Sequence, residues 1–300
     1  MWYSHKAFPA GIGHDVSPGH KPSMTNRSAI RVYAPCCLVL AFVFAARPAR
    51  AQFQPRPISD PPTGENYHIE GAAGFWFPTA TIGASSEGFG IAGTTIDFKA
   101  DLGLEDQKLP YLRLVLAPSR RNKFRFEFIP IKYNQNGIVR RTIIFNGILY
   151  NVGLPVKSEL DWKAYRLGYE FDFISNDRGF AGFVVEAKYT DVQIVLDASP
   201  VALEFARARA PIPALGGIGR VYVVPNISIT GELTGFELPK DLVKNTSAHY
   251  VDFDLYGTVN FTNNIGAQFG YRMLDVGFIA DTDTGTFKEK GVYFGVVARY

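Results

Sequence analysis

Alternation of apolar and polar side chains, repeated along most of this 300-residue chain, is what most limits the fold it can adopt. In one segment Tyr165, Leu167, Tyr169, Phe171 and Phe173 alternate with Arg166, Gly168, Glu170 and Asp172. In another, Val251, Phe253, Leu255, Val259 and Phe261 alternate with Asp252, Asp254, Tyr256, Thr258 and Asn260. The same pattern sets Leu112, Leu114 and Leu116 against Arg113, and Phe124, Phe126 and Phe128 against Arg125 and Glu127. It recurs with Phe183, Val185, Ala187 and Tyr189 against Glu186 and Lys188. Successive side chains of a strand point to opposite faces, so each segment has one apolar and one polar wall. Beyond residue 52, helical spacing is confined to one turn at Pro200–Arg209.

A soluble sandwich alternates too, because one sheet face is buried, so connection lengths must discriminate. Strands are expected at 67–78, 109–118, 122–134, 157–174, 179–195, 212–224, 226–237, 248–262, 264–277 and 290–300. Short turns (Ser119-Arg120-Arg121, Ser175–Arg178, Pro225, Asn263) alternate with long connections at 79–108, 135–156, 196–211, 238–247 and 278–289. Transmembrane barrels have this asymmetry, with short periplasmic turns and long outer loops. The expected fold is therefore all-β: a closed antiparallel transmembrane β-barrel of about ten strands, with eight or twelve as alternatives. Aromatic content of 14% fits, since rings at strand ends favour the membrane interface, and Tyr67, Phe75, Trp76, Phe77, Phe261 and Tyr300 are read as such. Residues 94–104 are expected to add local strand structure outside the wall.

The front of the chain reads as a removable leader. An uncharged run from Val32 to Ala46 follows Arg27 and Arg31 and precedes Ala49-Arg50-Ala51, which predicts a signal peptide cleaved after Ala51. Residues 1–23 do not resemble a leader, and Met24-Thr25-Asn26-Arg27 offers the more natural start. The domain division is then 1–51 extension and leader, 52–66 periplasmic N-terminal segment, and 67–300 barrel. Cys36 and Cys37 both lie in the leader, so the exported chain has no thiol for a disulfide, zinc site or nucleophile. Only His68 and His249 lie beyond residue 51, so no metal site and no cofactor is expected. Six of the 31 basic residues and one of the 28 acidic ones lie in 1–51, leaving 25 against 27. That balance gives no basic face for nucleic acid.

The alternating strands, the leader, the segment Phe145–Tyr150 leading into Tyr165–Phe173 and the final aromatic together resemble small bacterial outer-membrane β-barrels of the OmpA/OmpW-like type. The resemblance covers residues 67–300. It implies a place in the outer membrane, with lipid and lipopolysaccharide as surroundings. It also implies that Val292, Phe294, Val296, Ala298 and Tyr300 form the signal read by the outer-membrane assembly machinery. An unidentified extracellular ligand is the further partner the long connections leave room for.

With the apolar walls toward lipid, the lumen is expected to receive Arg113, Arg125, Arg166, Lys188, Arg220, Arg272 and Arg299 together with Glu127, Glu170, Asp172, Glu186, Glu232, Asp252 and Asp254. A barrel of this size has an interior just wide enough for side chains, so these charges are expected to pair across it. The function expected is structural or adhesive, or passage of small solutes through a narrow channel, without catalysis. The alternative is a barrel hydrolase, proteolytic or lipid-modifying, with His249 as the weak candidate base after Thr246-Ser247-Ala248. A soluble periplasmic sandwich or lipid-carrying barrel is the third reading. Asp281-Thr282-Asp283 is expected to be a solvated turn, Gly83–Gly93 an exposed loop, and Gly216-Gly217-Ile218-Gly219 a place of close backbone approach.

Overall fold

The alternating segments become the staves of a closed wall in the computed structural model, which describes residues 59–87, 90–198, 202–243 and 245–300. These residues belong to the compact unit Phe53–Tyr300. The expected leader and both cysteines lie outside the described residues. The strands are β1 (Ile69–Ser85), β2 (Ile96–Asp97), β3 (Leu109–Leu116), β4 (Asn122–Ile138), β5 (Ile143–Phe145), β6 (Ile148–Tyr150), β7 (Pro155–Asn176), β8 (Gly179–Ala198), β9 (Ala202–Val224), β10 (Ile227–Val243), β11 (Thr246–Asn260), β12 (Ile265–Ala280) and β13 (Asp283–Arg299). One short helix, α1 (Phe98–Leu102), follows β2.

Eleven strands form one antiparallel sheet, and β13 pairs with β1 from Glu70↔Arg299 to Ser85↔Thr284. Without the two-residue β2, ten strands close the barrel. Closure matters because an open edge in lipid would leave amides unpaired at a cost of several kcal/mol each. The expected assembly-signal residues lie on the closing strand or at its end, and all five face outward. At the lower end, where both termini of the barrel lie, the Tyr300 carbonyl accepts the amides of His68 (2.6 Å) and Ile69 (2.9 Å).

Several expected loops are strand instead. Residues 202–211, most of 238–247 and most of 278–289 extend β9 to β13 upward, and the turn of helix expected at Pro200–Arg209 lies in β9 from Ala202 onward. Two long connections remain among those expected: 86–108, which contains β2 and α1, and 139–154, which contains the β5–β6 hairpin. Residues 94–104 thus supply a bridge and a helix. Asp281 is the turn of the β12–β13 hairpin, at a φ of 54°.

The outward face marks where the wall leaves the apolar medium. On β7 it runs upward from Phe173, Phe171, Tyr169, Leu167 and Tyr165 to Lys163, Asp161, Glu159 and Lys157. On β13 it runs from Val296, Phe294 and Val292 to Lys290 and Lys288, on β12 from Ile265, Phe269 and Tyr271 to Asp275, and on β11 from Leu255, Phe253 and Val251 to His249. About nine to eleven tilted residues cross a membrane core, which matches the apolar stretch and leaves the upper half of each long strand above it. Neighbouring rings reinforce the belt, with Phe128 stacked on Tyr165 at 4.7 Å and Phe77 beside Phe294 at 5.1 Å. Trp76, expected at the interface, faces inward and donates to the Gly291 carbonyl at 3.1 Å.

Candidate functional site: a salt-bridged lumen

Strand parity fixes what fills the interior. All fourteen charged residues expected in the lumen are buried, at 7% exposure or less. The centre of the layer is Arg166, whose guanidinium meets Glu127, Glu186 and Glu232 at 3.1 Å each and Asp252 at 3.3 Å. These partners come from β4, β8, β10 and β11, so one side chain of β7 ties together strands across the barrel. Arg272 of β12 reaches Asp252 at 2.9 Å and also pairs with Glu127. Lys188 lies between Glu186 (3.2 Å) and Asp252 (3.4 Å) and donates to the Thr234 hydroxyl at 2.8 Å.

A second group lies toward the lower end. Lys123 bridges Glu170 and Asp172 at 2.8 Å each and rests over the Phe180 ring at 3.5 Å. Arg125 meets Glu170 at 2.6 Å and also Glu232, linking the two groups. Arg299 meets Glu70 at 2.6 Å across the β1–β13 seam. Arg113 donates to Gln268 at 2.8 Å and lies 3.7 Å from Asp254, which accepts the Tyr293 hydroxyl at 2.8 Å. Lys123, Glu70 and Glu289 are buried members that the sequence reading missed. Each could have been found by parity, since Lys123 precedes Arg125 by two, Glu70 precedes inward Trp76 by six, and Glu289 precedes inward Tyr293 by four.

The chain before β1 closes the lower mouth. Glu65 accepts the Tyr222 hydroxyl at 2.8 Å and meets Arg220 at 3.3 Å, while the Thr63 carbonyl accepts from the Asn260 side chain at 2.6 Å. Above the ionic layer the interior turns apolar: Trp76, Ile131, Tyr133, Leu160, Trp162 and Phe287 pack with α1 and the β5–β6 hairpin. Glu289 lies within this zone and accepts the Tyr133 hydroxyl at 2.6 Å. A cavity between Trp76, Tyr111, Arg113 and Asp254 amounts to about 10 Å3, the room one water needs. No group of three or more potential metal ligands occurs among the described residues.

His249 lies on the opposite side of the wall from the lumen carboxylates of its own strand. It is half exposed at the upper rim of the belt, with Nε2 3.4 Å from Asp275, which in turn meets Lys288 at 2.6 Å. His68 sits at the lower rim, where its Nδ1 lies 3.4 Å from the Ala117 carbonyl. At the upper end, burial works to raise the Asp101 carboxyl. Hydrogen bonds from Arg141 and from the Asp97 amide overcome this and hold it below the usual carboxylate range.

A closed wall with an even strand number, an apolar belt of membrane height and an ionic interior is a transmembrane β-barrel fold of the outer-membrane type. No family model and no curated protein matches the chain. Among solved structures it is similar to the outer membrane protease OmpT from Escherichia coli, at 7% identity over 81% of this chain and 100% of that one, with a TM-score of 0.49. It is also similar to the toluene transporter TodX from Pseudomonas putida, at 8% identity over 81% and 93%, with a TM-score of 0.33. The translocator domain of autotransporter NalP from Neisseria meningitidis aligns at 11% identity over 91% and 100%, with a TM-score of 0.35. Likeness at this level carries nothing about activity, and the class rests on the wall itself.

Proposed function

We propose that the protein is an integral outer-membrane barrel with a sealed lumen, exported by the leader ending at Ala51, whose role is structural or adhesive and is carried by its upper end. The observation that supports this reading is the layer around Arg166, in which side chains from five strands occupy the bore. Moving any one of these charges away leaves its partners buried and uncompensated, so the layer behaves as a fixed floor rather than an aqueous path. A narrow small-solute channel is the weaker form of the proposal for that reason. The hydrolase alternative gains no support from His249, whose carboxylate neighbour is already engaged by Lys288 and which faces away from the lumen.

In this reading the lower mouth, with Glu65 and the tight turns, faces the periplasm, and the β5–β6 hairpin faces outward. The belt meets membrane lipid, lipopolysaccharide surrounds the charged rim above it, and the outward face of β13 is the segment offered to the assembly machinery. The thiol-free exported chain allows a direct test with single cysteines. Leu149→Cys, at the exposed hairpin, should react with a membrane-impermeant maleimide on intact cells, whereas Asp177→Cys should react only after the outer membrane is permeabilised. The reverse pattern overturns the orientation, and absence of the protein from the outer-membrane fraction overturns the location.

A further inference from the structure

An inward position does not guarantee a charge its partner. The carboxylates of the ionic layer all meet a guanidinium or ammonium group, the longest approach being the 3.7 Å between Asp254 and Arg113. Glu289 of β13 breaks this pattern. It is 0% exposed, yet no cation among the described residues pairs with it. Its Oε1 accepts the Tyr133 hydroxyl at 2.6 Å, and its Oε2 has no hydrogen-bond partner among the described residues.

The surroundings offer nothing in place of a cation. Glu289 pairs across the sheet with Ala80 of β1 and Leu274 of β12, and Phe287 precedes it on the inward face of β13. These three belong to the apolar upper chamber, together with Leu160, Trp162 and the buried side chains of α1 and the β5–β6 hairpin. The titratable and charged groups that act on Glu289 are Tyr133 of β4, Asp106 from the connection before β3, and Arg272 of β12. Asp106 is itself an anion, held by Lys99 at 2.6 Å, and Arg272 is engaged below by Glu127 and Asp252. An ionised carboxyl in such a place is strongly disfavoured, so the group keeps its proton to higher pH than usual. Glu289 lies above the lipid belt, level with outward Lys288 and Lys290, and burial pushes its carboxyl up to about 8. Asp106 adds to this rise, while the Tyr133 bond and Arg272 oppose it.

We propose that Glu289 is a proton-operated latch of the upper chamber. As the neutral acid it lies within the apolar packing shared by α1 and the β5–β6 hairpin. As the carboxylate it drives that packing toward a loosened, hydrated form, without any strand of the wall parting. This goes beyond the sealed-bore reading, because it concerns the chamber above the ionic floor and stands whether or not that floor conducts.

The closed chamber binds the proton more tightly than the hydrated one. The opening constant therefore rises about tenfold per pH unit between the ordinary carboxylate value of about 4.3 and the folded value of about 8, and levels off above it. Ala80→Cys places a thiol of similar size opposite Glu289 in the thiol-free exported chain. Its rate of labelling by iodoacetamide in detergent micelles, divided by that of Leu149→Cys at the exposed hairpin, should rise about tenfold per pH unit from about pH 6 to 8. Adding Glu289→Gln should flatten the ratio, because the amide does not ionise. Tyr133→Phe removes a bond that favours the carboxylate and should move the plateau to higher pH. Trp162 lies against Phe287 at 4.4 Å, so acrylamide quenching of the unsubstituted protein should rise over the same interval. Labelling and quenching that do not change with pH, or a rise that persists after Glu289→Gln, overturn the latch.

Discussion

Arg166 meets four carboxylates while 5% exposed, so its removal leaves Glu127, Glu186, Glu232 and Asp252 short of their shared cation. Breaking a buried ion pair by deleting one partner costs roughly 3–5 kcal/mol, and Arg166→Ala should lower stability by about that amount in urea unfolding from lipid vesicles. A loss under about 1 kcal/mol would show that the layer is hydrated and relaxed. On the other face of the wall, Phe253→Arg should cost about 2–4 kcal/mol near the membrane midplane, read in the same assay. An unchanged midpoint there would mean that Phe253 does not face lipid. At this scale the sequence was informative because parity is a binary choice: once Phe124, Phe126 and Phe128 point out, Arg125 and Glu127 must point in. Reading the ring chemistry of Trp76 instead of its parity placed it at the interface; between outward Phe75 and Phe77 it must point in, where it donates to the Gly291 carbonyl.

Strand ends were harder to read than strand faces. Above the membrane the alternation inverts, as in β7, where Lys157, Glu159 and Asp161 face out and Leu160 and Trp162 face in, while the pairing continues. Residues 196–211 and 238–247 resemble loops in sequence because prolines and charged residues interrupt any sustained apolar alternation there. Glycines mark the tight places: a methyl group on Gly216 would lie 1.9 Å from the Leu233 carbonyl oxygen, so β9 and β10 can pair there only without a side chain. Gly216→Ala should therefore cost roughly 1–3 kcal/mol in the same unfolding assay, and a neutral result would contradict that register. The α1 element carries a pH dependence of its own. Burial works against the Asp101 carboxylate, but Arg141 and the Asp97 amide lower its pKa below the ordinary value. A depressed carboxylate contributes stability that is complete above its unfolded pKa of about 4 and is lost as pH falls through the folded value. Exchange of 98–104 should thus accelerate on acidification below about pH 4, beyond the intrinsic pH dependence, and Asp101→Asn should remove that extra change. An equal response in both proteins would show that Asp101 does not hold the helix.

Over the whole molecule, two solvents are separated by one sheet. The exterior offers lipid an apolar belt, and the interior changes from ionic to apolar along the axis, with Glu65 and Thr63 tucked under the lower mouth. Even strand number and closure were legible in the chain, because they follow from periodicity and counting. The division of the lumen into an ionic floor and an apolar chamber was not, since the chamber is built by residues of 96–108 and 139–154 that fold back from what reads as exposed loop. On the proposed function, this bore is sealed. Single-channel recording of refolded 52–300 in a planar bilayer tests it most directly: folded insertion without discrete current steps is the predicted result. Stable, discrete steps from the folded protein would contradict it and turn the Arg166 layer into the lining of a pore.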